Sequence, residues 1–251
     1  MIELINIVKK FGELVAVNDL SLTVPRGEFF AVLGPNAAGK TTTIKILTGL
    51  IKPTSGAARV AGFDVQTHPL EMRRRLAYVP DFPFLYDKLT PWEFIRFTGQ
   101  MFRMEDALLR TRAAELVDRF NLEPYLHKPI EGLSHGTRQR VAIVSALLHD
   151  PEVFVIDEPM VGLDPHHARV VKDTLKERSV KGMTVFLSTH QLSVAEEIAD
   201  RIGIIHQGRL IAVGTRDELR RQSGSTGALE QTFLALTNQE ANLDGEKIPA
   251  G

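Results

Sequence analysis

The run Gly34-Pro35-Asn36-Ala37-Ala38-Gly39-Lys40-Thr41 has the spacing G-x-x-x-x-G-K-[ST], which suits the cradling of a polyphosphate. Its glycines let successive backbone N–H groups turn toward an anion, and a helix N-terminus adds a positive dipole. The Lys40 ammonium can bridge β and γ oxygens, and the Thr41 hydroxyl is placed to hold Mg2+. Asp157 and Glu158 close a second apolar run, Val153-Phe154-Val155-Ile156. If that strand lies beside the phosphate-loop strand, Asp157 reaches the Mg2+ coordination sphere through water. Glu158, one residue further, can face an attacking water as general base. Ser188-Thr189-His190 ends the apolar strand TVFLS, so His190 reaches the same sheet edge and can hydrogen-bond a γ-phosphate or hold the water. His68, His127, His149, His166, His167 and His206 are read as structural.

The positioning elements follow from periodicity. Residues 2–61 read as strands, with a turn at Pro25-Arg26-Gly27 and a short apolar run, Phe29 to Leu33, leading into the loop. A helix follows Gly39, then a β segment at about Ala58 to Val65. Residues 82–150 read as helical. Thr90-Pro91-Trp92-Glu93 is a capping box that starts a helix running to about Phe102. Leu109, Ala113, Leu116, Val117 and Phe120 make one apolar stripe, and Ser134 can cap a third helix. From Glu152 onward strands and helices alternate: VFVID, Pro165 to about Arg178, TVFLSTH, about Ser193 to Asp200, and a hairpin-like RIGIIHQGRLIAVG. Thr215 with Glu218 offers another capping box. This alternation argues for an α/β fold with a mainly parallel sheet covered on both faces. Residues 1–237 are expected to form one domain, and 238–251, lacking an apolar face, a disordered tail.

Composition narrows the function classes. The 251 residues carry 30 Lys and Arg against 31 Asp and Glu, and no cysteine. Disulfides, Cys-ligated zinc and thiol nucleophiles are excluded, and near-neutral charge argues against a nucleic-acid coat. Neither Arg73-Arg74-Arg75 nor the Arg138/Arg140 pair amounts to a nucleic-acid stripe. No apolar stretch reaches the ~20 residues of a membrane span, and the N-terminus lacks a signal-peptide plan, so a cytoplasmic protein is expected.

Taken in linear order, these motifs resemble the nucleotide-binding subunit of ATP-binding cassette (ABC) transporters, from about Ile2 to Thr237. Phe11 matches the aromatic that stacks on adenine, and GPNAAGKTT, through Thr42, matches the Walker A motif. Tyr78-Val79-Pro80-Asp81 occupies the Q-loop and LSHGTRQR, residues 133–140, the signature. VFVIDEP is the Walker B motif, Gly162-Leu163-Asp164-Pro165 the D-loop and Ser188-Thr189-His190 the H-loop. The resemblance implies a P-loop NTPase core with an N-terminal antiparallel β subdomain and a helical subdomain at about 82–150. It also implies Mg2+-dependent ATP hydrolysis by a head-to-tail homodimer, or a heterodimer with another cassette, in which Ser134 and Gly136 of each signature cover the opposite γ-phosphate. Such a subunit is peripheral on the inner face of the membrane.

Three positions depart from the family pattern. Ala37 stands where the family has glycine; if the backbone there is left-handed, alanine costs about 1 kcal/mol and weakens ATP binding. Asp81 replaces the Q-loop glutamine and so offers a possible Mg2+ ligand, as in some bacterial exporters. His135 and Thr137 replace Gly and Gln of the signature, while Ser134 and Gly136 keep the cap and the close backbone approach. One cassette without a membrane span implies a separate transmembrane permease, with the aromatic run Phe82-Pro83-Phe84-Leu85-Tyr86 placed where the family receives it. The competing readings are a degenerate cassette with weak turnover paired with an active one, and a non-transport cassette ATPase.

Overall fold

The computed structural model describes residues 1–224 and 229–245. The chain opens with β1 (Ile2–Phe11) and β2 (Leu14–Val24), an antiparallel pair, and β3 (Phe29–Leu33) leads through the loop into α1 (Lys40–Leu47). β4 (Ser55–Val60) and β5 (Phe63–Asp64) complete an antiparallel sheet of order β2-β1-β4-β5. The β segment expected as one strand near Ala58 to Val65 is therefore two. Ala61 and Gly62 both have positive φ, 54° and 82°, which folds the chain into a tight hairpin.

After α2 (Pro69–Arg73) and β6 (Leu76–Val79) come three longer helices: α3 (Pro91–Met101), α4 (Asp106–Arg119) and α5 (His135–Leu147). Thr90 and Glu93 form the expected capping box, and Ser134 caps α5 by accepting from Thr137 N–H at 3.3 Å. The chain then alternates through β7 (Val153–Asp157), α6 (Pro165–Val180), β8 (Thr184–Thr189), α7 (Leu192–Ile198), β9 (Arg201–His206) and β10 (Arg209–Gly214). α7 stops two residues before its expected end because Asp200 instead accepts the Phe29 N–H at 2.8 Å, tying the helix exit to β3.

The second sheet has the order β10-β9-β3-β8-β7-β6, parallel except for the terminal hairpin. β7 does not lie beside β3: β8 stands between them, because two parallel strands with apolar residues on both faces flank it on either side. This sheet divides the core. Phe29, Ala31, Leu33, Phe154, Ile156, Val185 and Leu187 face the helical region, whereas Phe30, Val32, Val153, Val155 and Phe186 face α1 and the antiparallel sheet. Phe30 and Phe186 stack at 5.6 Å across β3 and β8. Both are fully buried, each burial contributing roughly 1.5–3 kcal/mol.

The expected Thr215–Glu218 box starts α8 (Arg216–Ser223). Backbone helix α9 (Leu229–Gly245) then covers residues 238–245, where disorder is expected from sequence. That segment has neither proline nor an internal glycine before Gly245, so helix propensity carries the backbone on without an apolar stripe. The rest of the expected tail, 246–251, lies outside the described residues.

Candidate active site

The C-terminal ends of β3, β7 and β8 open into one cleft of 880 Å³, where the crossover geometry of a parallel sheet gathers side chains. Leaving β3, Gly34 runs so close to β9 that a Cβ would sit 2.3 Å from the Ile205 carbonyl. Gly39 has φ 106°, and a Cβ there would sit 2.6 Å from the Ala16 carbonyl. Between them Ala37 is left-handed, with φ 62°. The turn is closed by Ala38 N–H donating to the Pro35 carbonyl at 3.2 Å and clamped by Gly208 N–H donating to the Ala38 carbonyl at 2.9 Å. α1 begins at Lys40, so its first N–H groups face the cleft.

The buried Lys40 Nζ donates to the carbonyls of Gly34 at 2.6 Å and Pro35 at 3.0 Å. Burial pulls its pKa down, against the opposing pull of Glu158 and Asp157. Thr41 Oγ1 donates to Asp157 Oδ2 at 3.3 Å. Burial raises the Asp157 carboxyl, and the nearby Glu158 and Asp81 charges add to the shift. Asp81 is raised by burial first and then by Glu158. Acids crowded in this way favour a cation. Among the described residues no three His, Cys, Asp or Glu side chains form a metal cage. A hydroxyl and a carboxylate in contact fit Mg2+, which completes its shell with phosphate oxygens and water.

Glu158 sits just past β7 in a left-handed conformation, φ 46°, its N–H donating to the Ser188 carbonyl at 2.9 Å. One carboxylate oxygen accepts from Thr189 Oγ1 at 3.0 Å, and the other meets His190 Nδ1 at 2.7 Å. With Nδ1 protonated toward the carboxylate, Nε2 of the half-exposed His190 is free for another partner. Phe11, Asn36, Thr42 and Asp81 line the same cleft.

The ABC transporter family model matches residues 17–161. The chain belongs to the ABC transporter family. It is 38% identical over 247 residues to the daunorubicin/doxorubicin resistance ATP-binding protein DrrA of Streptomyces peucetius, covering 98% of this chain and 74% of that one. It also resembles a solved ATP-binding subunit of an ABC transporter, with a TM-score of 0.90 and 36% identity over 94% of this chain and 99% of the other. The dimeric cassette MJ0796, solved after hydrolysis with ADP and Pi bound, gives a TM-score of 0.79 at 28% identity, covering 86% and 98%. ABC ATP-binding cassettes are ATPases, and this chain is the ATP-binding subunit of such a transporter.

Within the cassette, Ser134 and Gly136 do not join the cleft that gathers the other predicted residues. Gly136 packs on the D-loop of its own chain, where a Cβ on it would lie 2.5 Å from the Gly162 carbonyl. The His135 ring lies against Gly162 and meets the Phe82 ring edge-on at 6.1 Å, so it is half-buried. Sequence reasoning assigned no role to Thr189, which anchors Glu158, or to the Gln207-Gly208 turn that clamps the loop. The turn had a signal, since residue-Gly pairs between alternating strands form hairpins with positive φ, here 47° and 77°. The nearby Ala16 had none, because only its carbonyl is used.

Proposed function

We propose that this cassette hydrolyses ATP with Mg2+ as a head-to-tail dimer and powers export through a separate membrane permease. The observation that carries the reading is the 2.7 Å pairing of Glu158 with His190 at the cleft that also holds Lys40, Thr41 and Asp157. Glu158 is the base for water: each carboxylate oxygen keeps a lone pair after bonding Thr189 or His190. Lys40 and His190 stabilise charge on the transferred phosphoryl group, and the loop N–H groups hold the remaining phosphates. Thr41 and Asp157 would hold Mg2+, with Asp81 as a further oxygen donor, and the ion would neutralise phosphate charge. Half-exposed Phe11, with Lys9 Nζ 5.0 Å from its ring centroid, offers its face to the adenine.

The position of Ser134 and Gly136 outside their own cleft supports a role toward a nucleotide on a second subunit, as does the dimeric form of a solved relative. The permease reading is supported by exposed aromatics: Phe84, 91% exposed, lines an apolar groove between β6, α3 and α5, and Phe82, at the edge of the cleft, is 71% exposed. Export is supported by the resistance function in DrrA's name. The test is Glu158→Gln, which keeps the side-chain shape but not the base. ATP binding should persist, turnover should fall roughly 10²–10⁴-fold, and ATP should trap a dimer in gel filtration. Wild-type turnover in this variant removes Glu158 from its role.

A further inference from the structure

A continuous chain of hydrogen bonds joins the D-loop to the signature within one subunit. Asp164 Oδ2 lies 2.5 Å from His167 Nδ1, and His167 Nε2 lies 2.8 Å from an Arg140 guanidinium nitrogen. Arg140 also donates to Thr137 Oγ1 at 3.1 Å, and Thr137 Oγ1 lies 2.9 Å from Ser134 Oγ. Arg140 is further held by the carbonyls of Phe120 at 2.7 Å and Asn121 at 3.2 Å. Two members of this chain, Thr137 and His167, are respectively a departure from the family signature and one of the histidines read from sequence as structural.

The direction of every proton follows from donor chemistry. Arginine has no acceptor, so His167 Nε2 must accept from Arg140, and the ring proton sits on Nδ1 and goes to Asp164. Thr137 Oγ1 accepts from Arg140, and Thr137 is only 3% exposed, so its own proton needs a partner inside the protein. The neighbouring acceptor is Ser134 Oγ. That oxygen also accepts the Thr137 N–H at 3.3 Å, which fills both its lone pairs. The proton of the exposed Ser134 hydroxyl is then left pointing away from its own chain.

We propose that Asp164, His167, Arg140 and Thr137 are positioning residues that hold Ser134 as an outward hydrogen-bond donor, preset for a phosphate oxygen on the opposing subunit. The inference rests on the dimeric reading above and deepens it. The D-loop governs the signature of its own chain, so a displacement of Asp164 by a partner subunit is transmitted to Ser134. Valine at position 137 has threonine's shape without the hydroxyl; it removes the donor that fixes the Ser134 hydroxyl and leaves that proton free to rotate. Serine at 137 keeps the relay.

The experiment measures ATP-driven dimerisation by analytical ultracentrifugation in the full-length Glu158→Gln background, with ATP affinity of the monomer as the control for folding. Thr137→Val should weaken dimerisation roughly tenfold, in line with the loss of one charge-linked hydrogen-bond chain, while Thr137→Ser and monomer ATP affinity stay near the parent. His167→Leu should show the same defect and His167→Gln, which can both accept and donate, should restore it. In a Ser134→Ala background neither Thr137→Val nor His167→Leu should weaken dimerisation further. Dimerisation by Thr137→Val and His167→Leu within twofold of the parent, or an undiminished effect of either without the Ser134 hydroxyl, overturns the relay. Failure of the Glu158→Gln parent to dimerise with ATP overturns the dimeric reading itself.

Discussion

Glu158 and His190 meet at 2.7 Å although they follow different, adjacent strands, and the Thr189 hydroxyl holds the second carboxylate oxygen at 3.0 Å. The left-handed backbone at Glu158 turns its side chain from the direction of β7 toward the end of β8. A strained conformation, costing on the order of 1–3 kcal/mol, is thus held where a reacting group has to be aimed.

His190→Ala removes the partner of that carboxylate and leaves the phosphate loop untouched. Turnover should fall roughly 10²-fold, with ATP affinity unchanged within a factor of a few. Steady-state kinetics beside equilibrium nucleotide binding separate these two quantities, and an equal loss in both would place His190 in binding instead.

At Ala37 the backbone is left-handed, with φ 62°, a conformation that costs alanine about 1 kcal/mol and glycine almost nothing. Ala37→Gly should raise the melting temperature by about 2 °C, since ~1 kcal/mol shifts a chain of this size by that order. ATP affinity should rise by at most about fivefold, the ratio to which ~1 kcal/mol corresponds. Isothermal titration and calorimetric melting check the two parts.

His149 lines the apolar groove and stacks face to face on Phe102 at 3.6 Å. Burial pushes its imidazole down to about 4 from a usual 6.5. The unfolded chain therefore binds a proton below pH 6.5 that the folded chain refuses until about pH 4. Its stabilising contribution is complete above pH 6.5 and is lost progressively as pH falls through that window. Between pH 7 and pH 5 the folded state should lose about 2 kcal/mol from this group. Denaturant midpoints of wild type and His149→Phe at the two pH values test it; equal losses in both proteins would count against the assignment.

Local chemistry in the sequence determined much of this protein. The Gly34–Thr41 spacing, the acids closing an apolar strand and the caps at Thr90, Ser134 and Thr215 are short-range patterns, because turn geometry and helix ends depend on neighbouring residues. What only the tertiary structure decided is relative placement. That β8 separates β3 from β7, that Thr189 reaches Glu158, and that Gly136 is required by the Gly162 carbonyl all depend on strand order and on contacts between residues far apart in the chain. The same holds for Arg140 and His167, 27 residues apart and joined to Ser134 through a threonine hydroxyl. No periodicity records such pairs, since a buried polar group is satisfied by whichever element the packing brings beside it.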